Sequence, residues 1–170
     1  MATCATPLRT VLRETPVGLT AAHSVYLHPG QQHASADPCV ITTILGSCVS
    51  VCLFDAGRRV GGANHFLLPQ HGGDGTEASR YGPTAVRRLR DRLMELGAHP
   101  EQLEARVVGG ANMLSAFHNG ERHLGLRNVD VARQVLAEVG IPIVAEDVGG
   151  TRGRKLAFST SDGTTWVRFI

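Results

Sequence analysis

The chain has 170 residues, a formal net charge of +2, 42% apolar residues and 19% charged ones. That length and composition suit one globular domain with a core large enough to need no metal or disulfide staple, and they exclude a disordered chain. The charge balance is too small to imply a nucleic-acid partner, and no apolar run approaches the ~18 residues of a membrane span.

Residues 1–22 carry mixed signals, Pro7 and Pro16 among them, and are expected to form an N-terminal extension, partly ordered. Residues 23–170 are expected to form a single domain. The N-terminal stretch has no continuous apolar core of the signal-peptide kind, so the protein is expected in the cytoplasm with its cysteines reduced. "SVYLH" (24–28) reads as a strand ended by Pro29-Gly30, and the β-branched "CVITTIL" (39–45) as another. Gly46-Ser47 interrupts the run. "VSVCLF" (49–54) then alternates, with Val49, Val51 and Leu53 on one face and Ser50, Cys52 and Phe54 on the other. After a turn at 55–59, "VGGANHFLL" (60–68) resumes an extended run.

A polar, glycine-rich loop follows at 70–82, long enough to be functional. The spacing of Val86, Leu89, Leu93 and Leu96 predicts a helix over 83–96, started by Pro83 and stopped by Gly97. Its arginines, Arg87, Arg88, Arg90 and Arg92, lie mostly off the apolar stripe and read as a solvated face. "ARVVGG" (105–110) reads as a strand and 111–118 as a short irregular or helical segment. Asn128 reads as the cap of a second helix over 129–139. "PIVAEDV", "KLAF" and "TTWVRF" complete the strands. Strands and two main helices in irregular order predict an α+β domain with mixed sheets. The motif "VGGAN" occurs twice, at 60–64 and 108–112; paired glycines of this kind mark close backbone approach.

The four cysteines, Cys4, Cys39, Cys48 and Cys52, include no CxxC pair and no zinc-finger spacing. That leaves reactive thiols or small buried residues. A thiol needs a base to become a nucleophile. A hairpin turning about Ala56-Gly57 would set Cys48 opposite His65, whereas Cys52 would face Gly61. Gly46-Ser47 would expose the sulfur at a strand end and aim the Ser47 and Cys48 N–H groups at a developing oxyanion. Thr42 and Thr43, just upstream, are both candidates to orient the imidazole. The competing readings are a buried hydrophobic cysteine with a core histidine, and a Cys48/Cys52 redox pair. Four residues along a strand separate those Cα atoms by about 13 Å, too far for a disulfide.

"TTILGSCVSVCLFD" followed by "GGANHFLLP", "SRYGPTAVRRL", "ARVVGGANML", "RNVDVARQVLAEVGIPIVAEDVGG" and "GRK" resembles the CheD family, the chemoreceptor glutamine deamidases, over roughly residues 24–169. The resemblance implies a fold related to the cysteine hydrolase domains of cytotoxic necrotizing factor toxins. It implies Cys48 as catalytic nucleophile, His65 as its base and Thr42 as third member, with Thr43 one residue away. Gly46 and Ser47 support the oxyanion. No metal or cofactor is implied. The implied substrates are glutamines of methyl-accepting chemotaxis receptors, and in some bacteria a CheC-type phosphatase is the partner; a glutamyl methyl ester would pass through the same acyl-enzyme and is a further candidate substrate. The rival function is a non-catalytic regulatory module that binds a receptor or that phosphatase.

Overall fold

A computed structural model of the chain describes residues 9–10, 23–70, 78–113 and 123–170. The expectations for most of the N-terminal extension, for much of the 70–82 loop and for the end of segment 111–118 fall outside these residues. The described strands are β1 (Arg9–Thr10), β2 (Ser24–Tyr26), β3 (Gln32–Ser35), β4 (Val40–Leu45), β5 (Val49–Asp55), β6 (Val60–Asn64), β7 (Leu103–Gly109), β8 (Ile143–Val148), β9 (Arg154–Ser159) and β10 (Thr165–Phe169). Helices α1 (Gly82–Glu95) and α2 (Leu124–Glu138) accompany them.

The strands form two five-stranded sheets, ordered β1-β10-β9-β4-β2 and β3-β6-β5-β7-β8. Both are mixed: β1–β10, β2–β4 and β7–β8 are parallel, and the other pairs antiparallel. The α+β expectation holds. The layering follows from β5, in which every residue is buried. Its odd residues, Val49, Val51 and Leu53, pack with Val86, Leu89 and Leu93 of α1 and Val129, Ala132 and Leu136 of α2. Its even residues, Cys52 and Phe54, pack with Ile41, Leu45, Leu156 and Phe158 of the first sheet. The helices therefore cover one face of the second sheet and the first sheet covers the other.

Helix α1 buries Ala85, Val86, Leu89 and Leu93 and ends at Gly97, whose φ of 97° suits only glycine well. Its arginines face outward, three of them in ion pairs: Arg87 with Glu138 (2.6 Å), Arg90 with Asp91 (2.7 Å) and Arg92 with Glu95 (2.7 Å). Helix α2 begins earlier than its expected cap. His123 caps it, Nδ1 accepting from the Leu126 N–H at 3.3 Å, and Asn128 lies inside it.

Strand β3, "QHAS", has no apolar alternation and is absent from the sequence expectation. It forms because β6 is nearly bare where they pair. A Cβ on Gly62 would sit 2.6 Å from the His33 carbonyl oxygen and 2.9 Å from the Ala34 Cβ. The β5–β6 hairpin also departs from expectation. Its loop has four residues, 56–59, clamped by buried Asp55, whose carboxylate accepts the Arg58 N–H (3.0 Å) and the His99 N–H (2.8 Å). Cys52 pairs with Ala63 and Val49 bridges Phe66, two residues beyond the expected register. A two-residue slide keeps every side chain on its face. In this register Ser50 is directly across from His65, and Cys48 is its diagonal neighbour.

Gly62→Ala is expected to push β3 off β6 and lower stability by about 1–3 kcal/mol, the cost of overpacking a closed contact; the urea unfolding midpoint measures it.

Candidate active site

The chain crosses from the first sheet to the second through Gly46-Ser47-Cys48, between β4 and β5. Three successive carbonyls of this crossover are held from outside. The Gly46 oxygen accepts the Ala111 N–H (2.8 Å), the Ser47 oxygen the Asn128 Nδ2 (3.0 Å) and the Cys48 oxygen the Gly110 N–H (2.8 Å). The second "VGGAN" supplies two of this cradle's three donors, Gly110 and Ala111. Gly109 (φ 116°) and Gly110 (φ 70°) have left-handed backbones, and a Cβ on Gly109 would run into the Cys48 carbonyl. The cradle is itself tied down: Gly149 N–H donates to the Gly109 oxygen (2.9 Å) and Asn112 N–H to the Gly150 oxygen (2.7 Å). Buried Arg154 in turn holds that turn, through the Asp147 carboxylate (2.9 Å) and the Gly149 oxygen (2.8 Å).

Cys48 is half-buried and packs against the inter-sheet core. Burial raises its thiol pKa, and its own backbone N–H partly offsets that by favouring the thiolate. Cys52 is fully buried beneath it and burial pushes its thiol up to about 12, so it is an inert core residue. Cys39 is buried with its thiol likewise raised by burial.

His65 lies on the same inter-sheet face, 2% exposed. Its backbone is held by β3's lead-in, N–H to the Gln31 oxygen (2.9 Å) and oxygen to the Gly30 N–H (2.7 Å). Its ring meets Thr43 from the facing sheet, Nδ1 to Oγ1 at 2.8 Å. The Thr43 hydroxyl donates its one hydrogen to the Leu27 oxygen at 2.8 Å, so it must accept from Nδ1–H. The tautomer is thereby set, and the lone pair lies on Nε2. That nitrogen is buried and has no hydrogen-bond partner among the described residues. Burial holds the imidazole pKa down to about 4, with the Leu27 carbonyl opposing the shift and His28 adding to it.

The two threonines point oppositely along β4. Thr43 is buried with Ile41 and Leu45 toward the second sheet. Thr42 is half-buried on the outer face, in a row between Tyr26 and Ala157. The structure thus brings His65 to Thr43, and sets Thr42 away from it. Gly46 and Ser47 lie where the sequence expects, and the Ser47 N–H meets no acceptor among the described residues. Asn128 escaped the sequence reading as a site residue; a poor helix former in mid-helix was the one signal available.

A cavity of about 120 Å³ opens beside Ser47, lined by Ala111, Met113, His123, Leu124 and Gly125. Met113 and Leu124 are exposed apolar residues at its rim. Of the sequence-predicted site residues, Ser47 alone lines this cavity; a thiol, a neutral imidazole and the Ser47 peptide N–H are groups suited to acyl transfer. No three metal-ligating side chains converge among the described residues, and no described helix is long and apolar enough to cross a membrane.

The family model for CheD chemotactic sensory transduction matches residues 67–169, a stretch that begins just after His65. Whole-chain relatives extend across the crossover. The "Probable chemoreceptor glutamine deamidase CheD 1" of Anaeromyxobacter dehalogenans is 49% identical over 155 residues, spanning 91% of this chain and 89% of that protein. The "Probable chemoreceptor glutamine deamidase CheD 2" of Geobacter sulfurreducens is 45% identical, spanning 88% of this chain and 94% of its own. The relative from Trichlorobacter lovleyi, named as a "Probable chemoreceptor glutamine deamidase CheD", is 44% identical over 81% of this chain and 85% of that one. Among solved structures, the hypothetical protein YfiH of Bacillus licheniformis shows a partial likeness, with a TM-score of 0.42, 16% identity, and coverage of 65% of this chain and 49% of that one.

The depressed pKa of His65 has a consequence for stability. The unfolded chain takes up this proton at about 6.5 and the folded chain only at about 4. Its stabilising contribution is therefore complete above 6.5 and is lost as pH falls from 6.5 to about 4. In urea unfolding across that window the wild-type midpoint should fall more steeply than that of His65→Asn.

Proposed function

This chain belongs to the CheD family, and we propose that it hydrolyses side-chain amides of chemoreceptor glutamines, with Cys48 as nucleophile and His65 as base. One observation carries the assignment of roles: a buried imidazole locked as the Nδ1–H tautomer, its basic Nε2 unclaimed, on the face that Cys48 occupies. Thr43 takes the orienting role that the family resemblance had laid on Thr42.

At neutral pH the two resting groups are a thiol and a neutral imidazole, because burial disfavours both charged forms. The glutamine side chain enters, and Nε2 takes the Cys48 proton as Sγ bonds to the amide carbon. The carbonyl oxygen becomes an oxyanion, met by the Ser47 and Cys48 N–H groups. The imidazolium then returns its proton to the amide nitrogen, the C–N bond breaks, ammonia leaves and a thioester remains. Nε2 next takes a proton from water as the oxygen attacks the thioester. Collapse releases glutamate, and the proton goes back to sulfur. A glutamyl methyl ester would pass through the same thioester with methanol as leaving group, so methylesterase activity belongs to the same proposal. A cytoplasmic location and a CheC-type phosphatase partner rest on family membership.

The test is incubation with a purified receptor cytoplasmic fragment and mass measurement of its glutamine peptides. Each modified site should gain about one dalton, and Cys48→Ala should gain none. A pure binding module would leave every mass unchanged. Thr43→Val should lose at least about tenfold in kcat, a part of the ~10²–10⁴ that a positioned base supplies, while Thr42→Val stays within about threefold. The acid limb of kcat/KM should lie near the His65 value of about 4, with activity lost as pH falls through it.

A further inference from the structure

The β5–β6 ladder ends at Val49 and Phe66, which exchange both backbone hydrogen bonds (3.1 and 3.0 Å). Beyond this pair the two chains part. Leu67 and Leu68 turn their N–H groups to the Arg80 oxygen (2.9 and 3.1 Å), while Ser47 bends back toward β4. Cys48 sits at the mouth of this fork. Asn128 of α2, wholly buried, fills it: Nδ2 donates to the Ser47 oxygen (3.0 Å) on one arm and to the Leu67 oxygen (2.8 Å) on the other. Both acceptors are carbonyls, so the nitrogen must be the end that faces them. The Asn128 Oδ1 has no partner among the described residues. A poor helix former, buried with one polar atom unpaired, is held here by its donor end alone.

We infer that Asn128 is a positioning residue for the deamidation proposed above, on which this inference rests: by holding the Ser47 carbonyl it turns the Cys48 N–H toward the reacting sulfur. In a trans peptide the C=O and the following N–H point in opposite directions. A Ser47 carbonyl drawn toward α2 therefore sends the Cys48 N–H away from α2, to the side where the thiol lies. The flanking carbonyls of Gly46 and Cys48 are taken by main-chain donors, Ala111 and Gly110. Ser47's is the one of the three held by a side chain, so its peptide is the one that substitution can release. The released peptide can rotate, and a rotated N–H meets neither the thiolate nor the oxyanion. The same amide also fixes the splay between the arm carrying the nucleophile and the arm that follows the base.

Asn128→Leu keeps similar volume and removes both donors; Asn128→Ala serves if the leucine variant does not fold, as judged by circular dichroism and thermal melting. The first readout needs no substrate: the pH dependence of iodoacetamide alkylation, followed on the Cys48 peptide by mass spectrometry. Its midpoint should rise by about half to one unit, because the thiolate loses a hydrogen-bond donor. The second is deamidation of the receptor fragment: kcat should fall about 100-fold, the scale of one lost oxyanion donor, with KM within about threefold. A folded variant in which either the alkylation midpoint or kcat stays at the wild-type value overturns the inference, and so does a loss confined to KM. Failure of the deamidase reading looks different. Wild-type protein would leave receptor masses unchanged, or Cys48→Ala would match it, while the alkylation midpoint would still decide the role of Asn128.

Discussion

A hydrogen bond between sheets organises this molecule: Nδ1 of His65, on the second sheet, to Oγ1 of Thr43, on the first. The inter-sheet layer is filled mainly by apolar side chains, Ile41, Leu45, Cys52, Phe54, Leu156 and Phe158, with buried Ser50 and Arg106 beside Cys52. A buried imidazole there must find partners or be expelled. The Thr43 hydroxyl supplies one: it donates its hydrogen bond to the Leu27 carbonyl and so accepts from the ring. That small relay sets the tautomer, and the tautomer decides which nitrogen is basic. The sandwich thus holds a neutral imidazole whose lone-pair nitrogen, Nε2, has no partner among the described residues.

The crossover is built by geometry of a different kind. Gly46-Ser47-Cys48 makes no ladder of its own, so its carbonyls are bonded one by one from Ala111, Asn128 and Gly110. The close approach this needs is possible only where Cβ atoms are missing. Gly125 of α2 seats against the Gly110 carbonyl for the same reason, in a contact too short for any side chain. The two "VGGAN" stretches thus serve different ends. The first lets β3 close over β6, and the second lets the end of β7 hold the Gly46 and Cys48 carbonyls of the crossover.

Electrostatically the site favours neutral partners. Burial raises the Cys48 thiol and lowers the His65 imidazole, so a standing thiolate–imidazolium pair is disfavoured. In the proposed reaction the proton transfer is then coupled to attack on the substrate, and the peptide N–H groups meet a charge that exists only during that reaction. Interactions of that sort raise turnover rather than ground-state binding. Cys52, four residues on, shows the contrast: deeper burial and no base leave it as packing.

Much of this was legible in the amino-acid sequence. Alternation located β5 and its two faces, apolar spacing located α1, and the Gly-Ser-Cys run with its later histidine marked the two residues on which the proposed chemistry rests. Local pattern carries those features because they depend on neighbours in the chain. Register did not follow from it: a buried Asp55 lengthens the hairpin loop to four residues, and only the even size of the slip left Cys48 and His65 on one face. Strand β3 has no period to read, since it exists through the glycines it covers. Adjacent threonines on a strand are equivalent in sequence. Which one meets the imidazole was decided when the sheets packed, because neighbours along a strand point to opposite faces and one of those faces is the core. Asn128 joins elements some sixty and eighty residues apart, and only the tertiary fold brings them together.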